Sequence, residues 1–118
     1  MATTVETGSE APSRVKGCCV QLAPPLPGHG AEALAEVFKA LADPTRVQMI
    51  HMLKAAAEPV CVCDFTAAID LGQPTVSHHL ARLRDAGLVT SFRRGVWAFY
   101  RLRSDLSEPA RLALSTIP

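Results

Sequence analysis

Long apolar segments are absent from this chain of 118 residues. No apolar run reaches the roughly 20 residues that a bilayer-spanning helix requires. An uncharged stretch, residues 17–31, is broken by three prolines. Glu6 and Glu10 stand near the N-terminus, where a secretory signal would carry positive charge. We therefore expect a cytoplasmic protein with no membrane partner.

Cysteine is scarce too, and its four residues form two close pairs, Cys18–Cys19 and Cys61–Cys63. In a reducing compartment, such pairs bind metal or take part in redox chemistry more often than they form structural disulfides. The spacing of the second pair is one residue shorter than the C-x-x-C motif of thiol oxidoreductases, and no βαβ pattern surrounds it. We therefore predict that the chain is not an enzyme.

Basic charge is concentrated in one segment, although the net charge of the whole chain is only +1. Residues 72–103 contain six arginines and one aspartate, whereas residues 1–71 contain five basic and eight acidic residues. A local excess of positive charge is typical of a nucleic-acid-binding face, although a solvated basic surface would give the same composition.

The order of predicted elements indicates a mainly α fold with a small β-hairpin. Residues 1–30 are rich in Pro, Gly, Ser and Thr and show no periodicity, so we expect a flexible arm followed by one domain over residues 31–118. Helices are predicted over about residues 31–42, 44–56, 64–72, 73–87 and 105–115, with a hairpin around Arg94 and Gly95. A helix-turn-helix pair followed by a hairpin is a winged helix-turn-helix domain.

The recognition helix of such a domain would begin near Pro74. Helical spacing turns Val76, Leu80 and Leu83 toward the core, which leaves the intervening polar residues for the DNA groove. Arg93 and Arg94 at the hairpin tip would contact phosphates. The rings of Trp97, Phe99 and Tyr100 are expected in the core rather than stacked on bases. The predicted DNA-binding residues are Gln73, Thr75, Ser77, His78, Arg82, Arg93 and Arg94.

Four segments together resemble the ArsR/SmtB family of metal-responsive bacterial transcriptional repressors. They are FKALADPTRVQMI, VCVCDF, QPTVSHHLARLRDAGLV and the arginine-rich hairpin, and the resemblance covers roughly residues 34–103. It implies a homodimer that represses transcription by binding a palindromic operator in double-stranded DNA and that dissociates when a thiophilic ion binds. It also implies an inward-facing, packed His79. No histidine follows His79, which argues against the family's zinc-type site on the last helix.

Thiolates are soft ligands and select thiophilic ions. We expect Cys61 and Cys63 to project to the same side of an extended segment, with Asp64 capping the third helix and the helix N-terminus lowering the pKa of the Cys63 thiol. In arsenic-sensing relatives a third cysteine often follows at the position occupied here by Thr66. The resemblance therefore suggests that the arm supplies the missing thiol. The predicted ligands are Cys18, Cys19, Cys61 and Cys63.

The inducer predicted from this set is arsenite, As(III), or antimonite, Sb(III), because three thiolates form a pyramid around such an ion. Cd(II) or Pb(II) bound by four cysteines is an alternative. A repressor that senses redox state through its paired thiols is another. Cysteines can also be small buried hydrophobic residues without a ligand.

Overall fold

The computed structural model describes residues 20–118. Within this range the chain forms five helices and a three-stranded antiparallel sheet. The elements are α1 (Gly30–Leu41), α2 (Pro44–Ala55), β1 (Val60–Cys61), α3 (Val62–Ala68), α4 (Gln73–Asp85), β2 (Val89–Arg94), β3 (Trp97–Leu102) and α5 (Glu108–Ser115). The helix-turn-helix is α3–α4 and the wing is β2–β3, so the predicted winged helix-turn-helix fold is confirmed.

The predicted arm falls mainly on residues that the structure does not describe. Cys18 and Cys19 lie outside the described residues. Residues 20–29 are exposed and form no helix or strand before α1 begins. None of the helices within residues 20–118 has the combination of length and apolarity that crossing a membrane requires.

Proline and a capping aspartate fix where two of the helices begin. The Asp43 carboxylate accepts the backbone N–H groups of Thr45 and Arg46, at 2.8 and 3.2 Å, and Pro44 opens α2 as predicted. Pro109 lies in the first turn of α5, where its missing N–H costs no hydrogen bond, and α5 therefore begins at Glu108 rather than near residue 105.

The start of α3 differs from the prediction. The N-cap is Cys61 and not Asp64: the Cys61 Sγ accepts the backbone N–H of Cys63 at 3.4 Å. Asp64 lies one turn inside the helix, and its carboxylate accepts the backbone N–H of Cys61 at 2.9 Å. These reciprocal bonds form a capping box in which a thiol takes the place usually held by a hydroxyl. Cys63 is consequently helical, and the expected extended Cys61–Cys63 segment does not exist.

A short strand that the sequence did not predict joins the thiol segment to the wing. β1 pairs with β3 in the register Val60↔Tyr100 and Cys61↔Phe99, and the strand order of the sheet is β1-β3-β2. A strand of two residues is too short to show an alternating pattern, so only the tertiary structure identifies it.

The core lies between the helices and the inner face of the wing. Val76, Leu80 and Leu83 on α4 are fully buried, as predicted, and pack with Phe65 and Tyr100 from α3 and β3. The recognition helix is therefore fixed to the core by one face, which leaves its other faces available for contacts outside the domain.

Candidate functional site

The accessible residues of α4 divide between two faces. Gln73 and Ser77 face a cleft between α3, α4 and the wing. Thr75, His78 and Arg82 are exposed and follow one another at helical spacings of three and four residues, which places them on a second face. The DNA-binding residues predicted on α4 are thus all accessible, but they do not form a single row.

His79 lies between the core and these faces and is held by an arginine. The Arg46 Nη1 donates a hydrogen bond to the Nδ1 of His79 at 3.0 Å, so the proton of the neutral ring is on Nε2. The same guanidinium donates through Nε to the carbonyl oxygen of Ala40 at 2.6 Å. Arg46 therefore ties the last turn of α1 to the recognition helix, and His79 is half-buried, in keeping with the packed role expected for it.

The wing carries an aromatic pair on its outer face. Phe92 and Phe99 stack with ring centroids 5.6 Å apart, and the Arg94 guanidinium lies 5.6 and 5.7 Å from the two centroids. Only Tyr100 among the three rings predicted in the core is buried, whereas Trp97 is 54% exposed. The prediction for Trp97 and Phe99 was wrong because strand alternation sends residues 97 and 99 to the face opposite Tyr100.

Some of the arginines in the basic segment are neutralised locally. Arg84 lies 3.7 Å from the Asp85 carboxylate, and Arg103 donates two hydrogen bonds to Asp105, which raises the pKa of Arg103 and lowers that of Asp105. Within residues 20–118, no acidic partner lies within ion-pair distance of the arginines predicted to bind DNA, Arg82, Arg93 and Arg94.

The two thiols differ in exposure, although both line the cleft. Cys61 is only 4% exposed, because its cap role turns it toward the helix start, whereas Cys63 is exposed. Both residues thus border one cleft, and a helix start, not the expected extended segment, places them there. Among residues 20–118, no three or more His, Cys, Asp or Glu side chains are grouped as a metal site would require.

The pKa of the Cys63 thiol is raised, not lowered as the helix N-terminus led us to expect. The main cause is a hydrogen bond with the neighbouring Cys61 thiol, followed by desolvation and by the negative charges of Cys61 and Asp64. These local effects outweigh the amide N–H groups of the first turn. Any thiophilic ligand that binds here must displace a proton from Cys63.

The cleft has a volume of about 360 Å³ and brings together residues from all three neighbouring elements. The thiols come from the start of α3, Gln73 and Ser77 come from α4, and Arg93 comes from β2. Arg82 and Arg94 are not part of its lining: Arg82 borders a separate hollow beside α1. Cys61 and Cys63 are therefore contiguous with part of the predicted DNA-binding face.

Sequence reasoning did not place Arg84, Trp97 or Thr66 in this cleft. Arg84 lies seven residues after Ser77, so helical periodicity alone could have placed it there. Trp97 also lines the cleft, and no sequence signal indicated this. Thr66, the residue at the position where relatives have a third cysteine, borders the cleft too, and its hydroxyl donates to the Cys63 carbonyl oxygen at 3.0 Å.

Known proteins with similar sequences are transcriptional regulators. Residues 43–91 match the family described as bacterial regulatory protein, arsR family. The arsenic resistance transcriptional regulator ArsR1 of Pseudomonas putida is 43% identical over 83 residues, covering 69% of this chain and 64% of that protein. The arsenical resistance operon repressor of Escherichia coli is 45% identical over 67 residues, covering 57% of this chain and 56% of the relative. The chain thus spans less than two thirds of the length of either relative.

A solved structure shows the same architecture. The homodimeric winged helix-turn-helix DNA-binding domain of Mb0332 from Mycobacterium bovis superimposes with a TM-score of 0.62 at 26% identity, covering 80% of this chain and 86% of that one. These relatives are regulators and not enzymes, as predicted for this chain. The putative arsenical resistance operon repressor ArsR2 of Halobacterium salinarum is 37% identical over 87 residues, covering 70% of this chain and 69% of that protein. Family match, sequence identity and fold lead to one conclusion: the chain belongs to the arsR family of bacterial regulatory proteins.

Proposed function

We propose that this protein is a homodimeric transcriptional repressor that binds a palindromic DNA operator and is released by arsenite or antimonite. The observation that carries the proposal is the position of Cys61 and Cys63 at the start of α3, the helix immediately before α4, in a cleft shared with Gln73 and Ser77. Two relatives that are named for arsenic resistance support the choice of ligand.

DNA binding is assigned to α4 and the wing. Gln73 near the N-terminus of α4 can form two hydrogen bonds to adenine, and Thr75, Ser77 and His78 offer further polar contacts in the major groove. Arg82, Arg93 and Arg94 supply phosphate contacts, which orient the protein on the duplex without reading its sequence. The two aromatic rings beneath Arg94 limit its freedom, so less side-chain entropy is lost when it binds phosphate.

Dimer formation is assigned to α1 and α5. Phe38 and Leu112 are 56% and 53% exposed and border one apolar depression between these helices, together with Leu34 and Pro109. A second copy of the chain is the occupant we propose, because the related Mb0332 domain is a homodimer. Two recognition helices related by twofold symmetry would read two half-sites about one helical turn apart, which is why the operator should be palindromic.

The ligand site is assigned to thiols from two parts of the chain. Cys61 and Cys63 supply two of the three thiolates that trivalent arsenic or antimony accepts, and the described residues contain no third cysteine. We propose that Cys18 or Cys19 supplies the third, from the same subunit or from its partner. Binding exchanges the hydroxyl groups of As(OH)₃ for thiolates, and each thiol gives up its proton to form water, so no redox change is needed.

The first experiment is a mobility shift with DNA from upstream of the protein's own gene. Arsenite, antimonite, cadmium, lead, zinc and hydrogen peroxide would be titrated in parallel. The proposal predicts release by arsenite and antimonite at the lowest concentrations. Preferential release by cadmium or lead would favour a four-cysteine site, and reversible release by peroxide alone would favour redox sensing.

Two variants test whether the arm supplies a ligand: one should lose the response to arsenite, and the other should regain it. The double change Cys18→Ser and Cys19→Ser should abolish the response to arsenite without loss of DNA binding. Adding Thr66→Cys to that variant should restore it, because residue 66 borders the cleft beside Cys63. An undiminished response in the double variant would show that the arm supplies no ligand.

A further inference from the structure

The cleft beside Cys63 is larger than a bound ion needs. The volume of the cleft is about 360 Å³, whereas one water molecule occupies about 30 Å³ in the liquid. The walls combine the amide of Gln73, the guanidinium groups of Arg84 and Arg93, and the ring of Trp97. There is thus room for an attached organic group as well as for the sulfur-bound centre.

The same cleft contains residues that we assign to DNA contact. Gln73 and Ser77 face it from the recognition helix, and Arg93 faces it from the wing. A group that extends from the Cys63 sulfur into this space would lie against these side chains. It would therefore compete with base edges and phosphates for the same polar atoms, without any movement of α3 relative to α4.

We propose that occupancy of this cleft is itself the event that excludes DNA, and that the cleft accepts thiol-reactive compounds carrying an apolar group of about the size of one ring. Trp97 is the one large aromatic side chain of the wing tip that lines the cleft, and we assign to it the selection of a ring-sized group. The inference rests on the proposed function of Cys61 and Cys63, but it extends the ligand class beyond bare ions and names a direct route of regulation.

A size series of groups attached to Cys63 tests this. In a Cys18→Ser, Cys19→Ser, Cys61→Ser variant, residue 63 is the remaining cysteine, and serine keeps an oxygen at the N-cap of α3. Methyl or benzyl methanethiosulfonate would then transfer its RS group to the thiolate and release methanesulfinate. Mass spectrometry would establish complete labelling, and circular dichroism would establish folding. If serine at residue 61 disturbs the fold, Cys61→Ala replaces it.

We expect the loss of DNA affinity to increase with the size of the group attached to Cys63. Loss of even one well-formed base contact weakens DNA binding by roughly 5- to 150-fold. We expect the benzylthio group to weaken it within that range and the methylthio group to change it less than about twofold, since the small group leaves the cleft largely open. Adding Trp97→Ala should reduce the benzyl effect, measured against the unlabelled form of the same variant.

The matched control places the same groups outside the cleft. Ala67 is exposed on α3 and does not line the cleft, so an Ala67→Cys, Cys63→Ser protein with the other cysteines replaced carries the tag on the same helix. We expect neither tag to affect DNA binding there. An unchanged affinity after benzyl labelling of Cys63, or an equal loss in the control, overturns the inference.

The outcome is separable from that of the proposed function, because no metalloid is used. Release by arsenite combined with no effect of the benzyl group would leave the repressor function intact and would show that the ion acts by altering the α3–α4 arrangement. A large benzyl effect in the labelled variant, together with an unaltered protein that ignores arsenite, would uphold the shared cleft and refute arsenite as the inducer.

Discussion

Arg46 makes the connection between α1 and the recognition helix, and removing it should destabilise the domain measurably. Its guanidinium donates to the Ala40 carbonyl oxygen at 2.6 Å, to the His79 ring at 3.0 Å and to the Lys39 carbonyl oxygen at 3.3 Å. The first two bonds are partly buried and the third is exposed. At about 1 kcal/mol net for each partly buried bond, Arg46→Met should cost about 2 kcal/mol while keeping an apolar stem of similar length.

Thermal unfolding followed by circular dichroism would measure this cost. For a domain of this size, about 2 kcal/mol corresponds to a fall in Tm of roughly 8–16 °C. Protein concentration must be fixed, because unfolding of a dimer depends on it. A double-mutant cycle with His79→Leu should give a coupling free energy of about 1 kcal/mol between the two side chains. If Arg46→Met unfolded within about 2 °C of the unaltered protein, the assigned role of Arg46 would be refuted.

Three further predictions concern the dimer, the DNA face and pH. Leu112→Asp should give a monomer in sedimentation equilibrium at micromolar concentration, whereas Ala67→Asp, at an exposed position of α3, should leave the dimer intact. Gln73→Ala should lower the ratio of operator affinity to random-DNA affinity, with a loss of about 1–3 kcal/mol in binding free energy on the operator. Arg94→Ala should weaken binding to the operator and to random DNA alike, and it should reduce the slope of log affinity against log salt concentration by about one. Desolvation acts to raise the pKa of Asp43, but the backbone N–H bonds from Arg46 and Thr45 and the Coulombic effects of His79 and Arg46 together lower it. The stabilisation by Asp43 is therefore present above its unfolded pKa of about 3.9 and is lost as the pH falls through the folded value. Asp43→Asn should retain the N-cap of α2, and its free energy of unfolding should depend less on pH in the acidic range.

Much of the fold followed from local chemistry. α2 begins where an aspartate precedes a proline, and α4 buries Val76, Leu80 and Leu83 as their spacing requires. The hairpin turns at Gly95, whose φ of +63° favours glycine. These features depend on neighbours within a few residues, which a sequence displays directly.

The thiol site was less predictable because tertiary contacts determine it. β1 is recognisable only by its pairing with β3, and α3 begins at the residue that follows this strand. The pKa of Cys63 depends mainly on the Cys61 thiol, whose orientation follows from its place at the N-cap. Gln73, Arg93 and Trp97 converge on one cleft from three elements, α4, β2 and β3, and no local pattern encodes this convergence.

The most direct test of the central claim is the operator affinity of the unaltered protein and of Cys63→Ser, measured by fluorescence anisotropy with and without arsenite. Serine offers no soft ligand, so the variant should bind DNA within about twofold of the unaltered protein and remain bound in arsenite. In arsenite, the unaltered protein should lose roughly 5- to 150-fold in operator affinity, which is the usual range of allosteric coupling between two binding sites. If Cys63→Ser were released by arsenite as readily as the unaltered protein, Cys63 would not be the link between ligand and DNA.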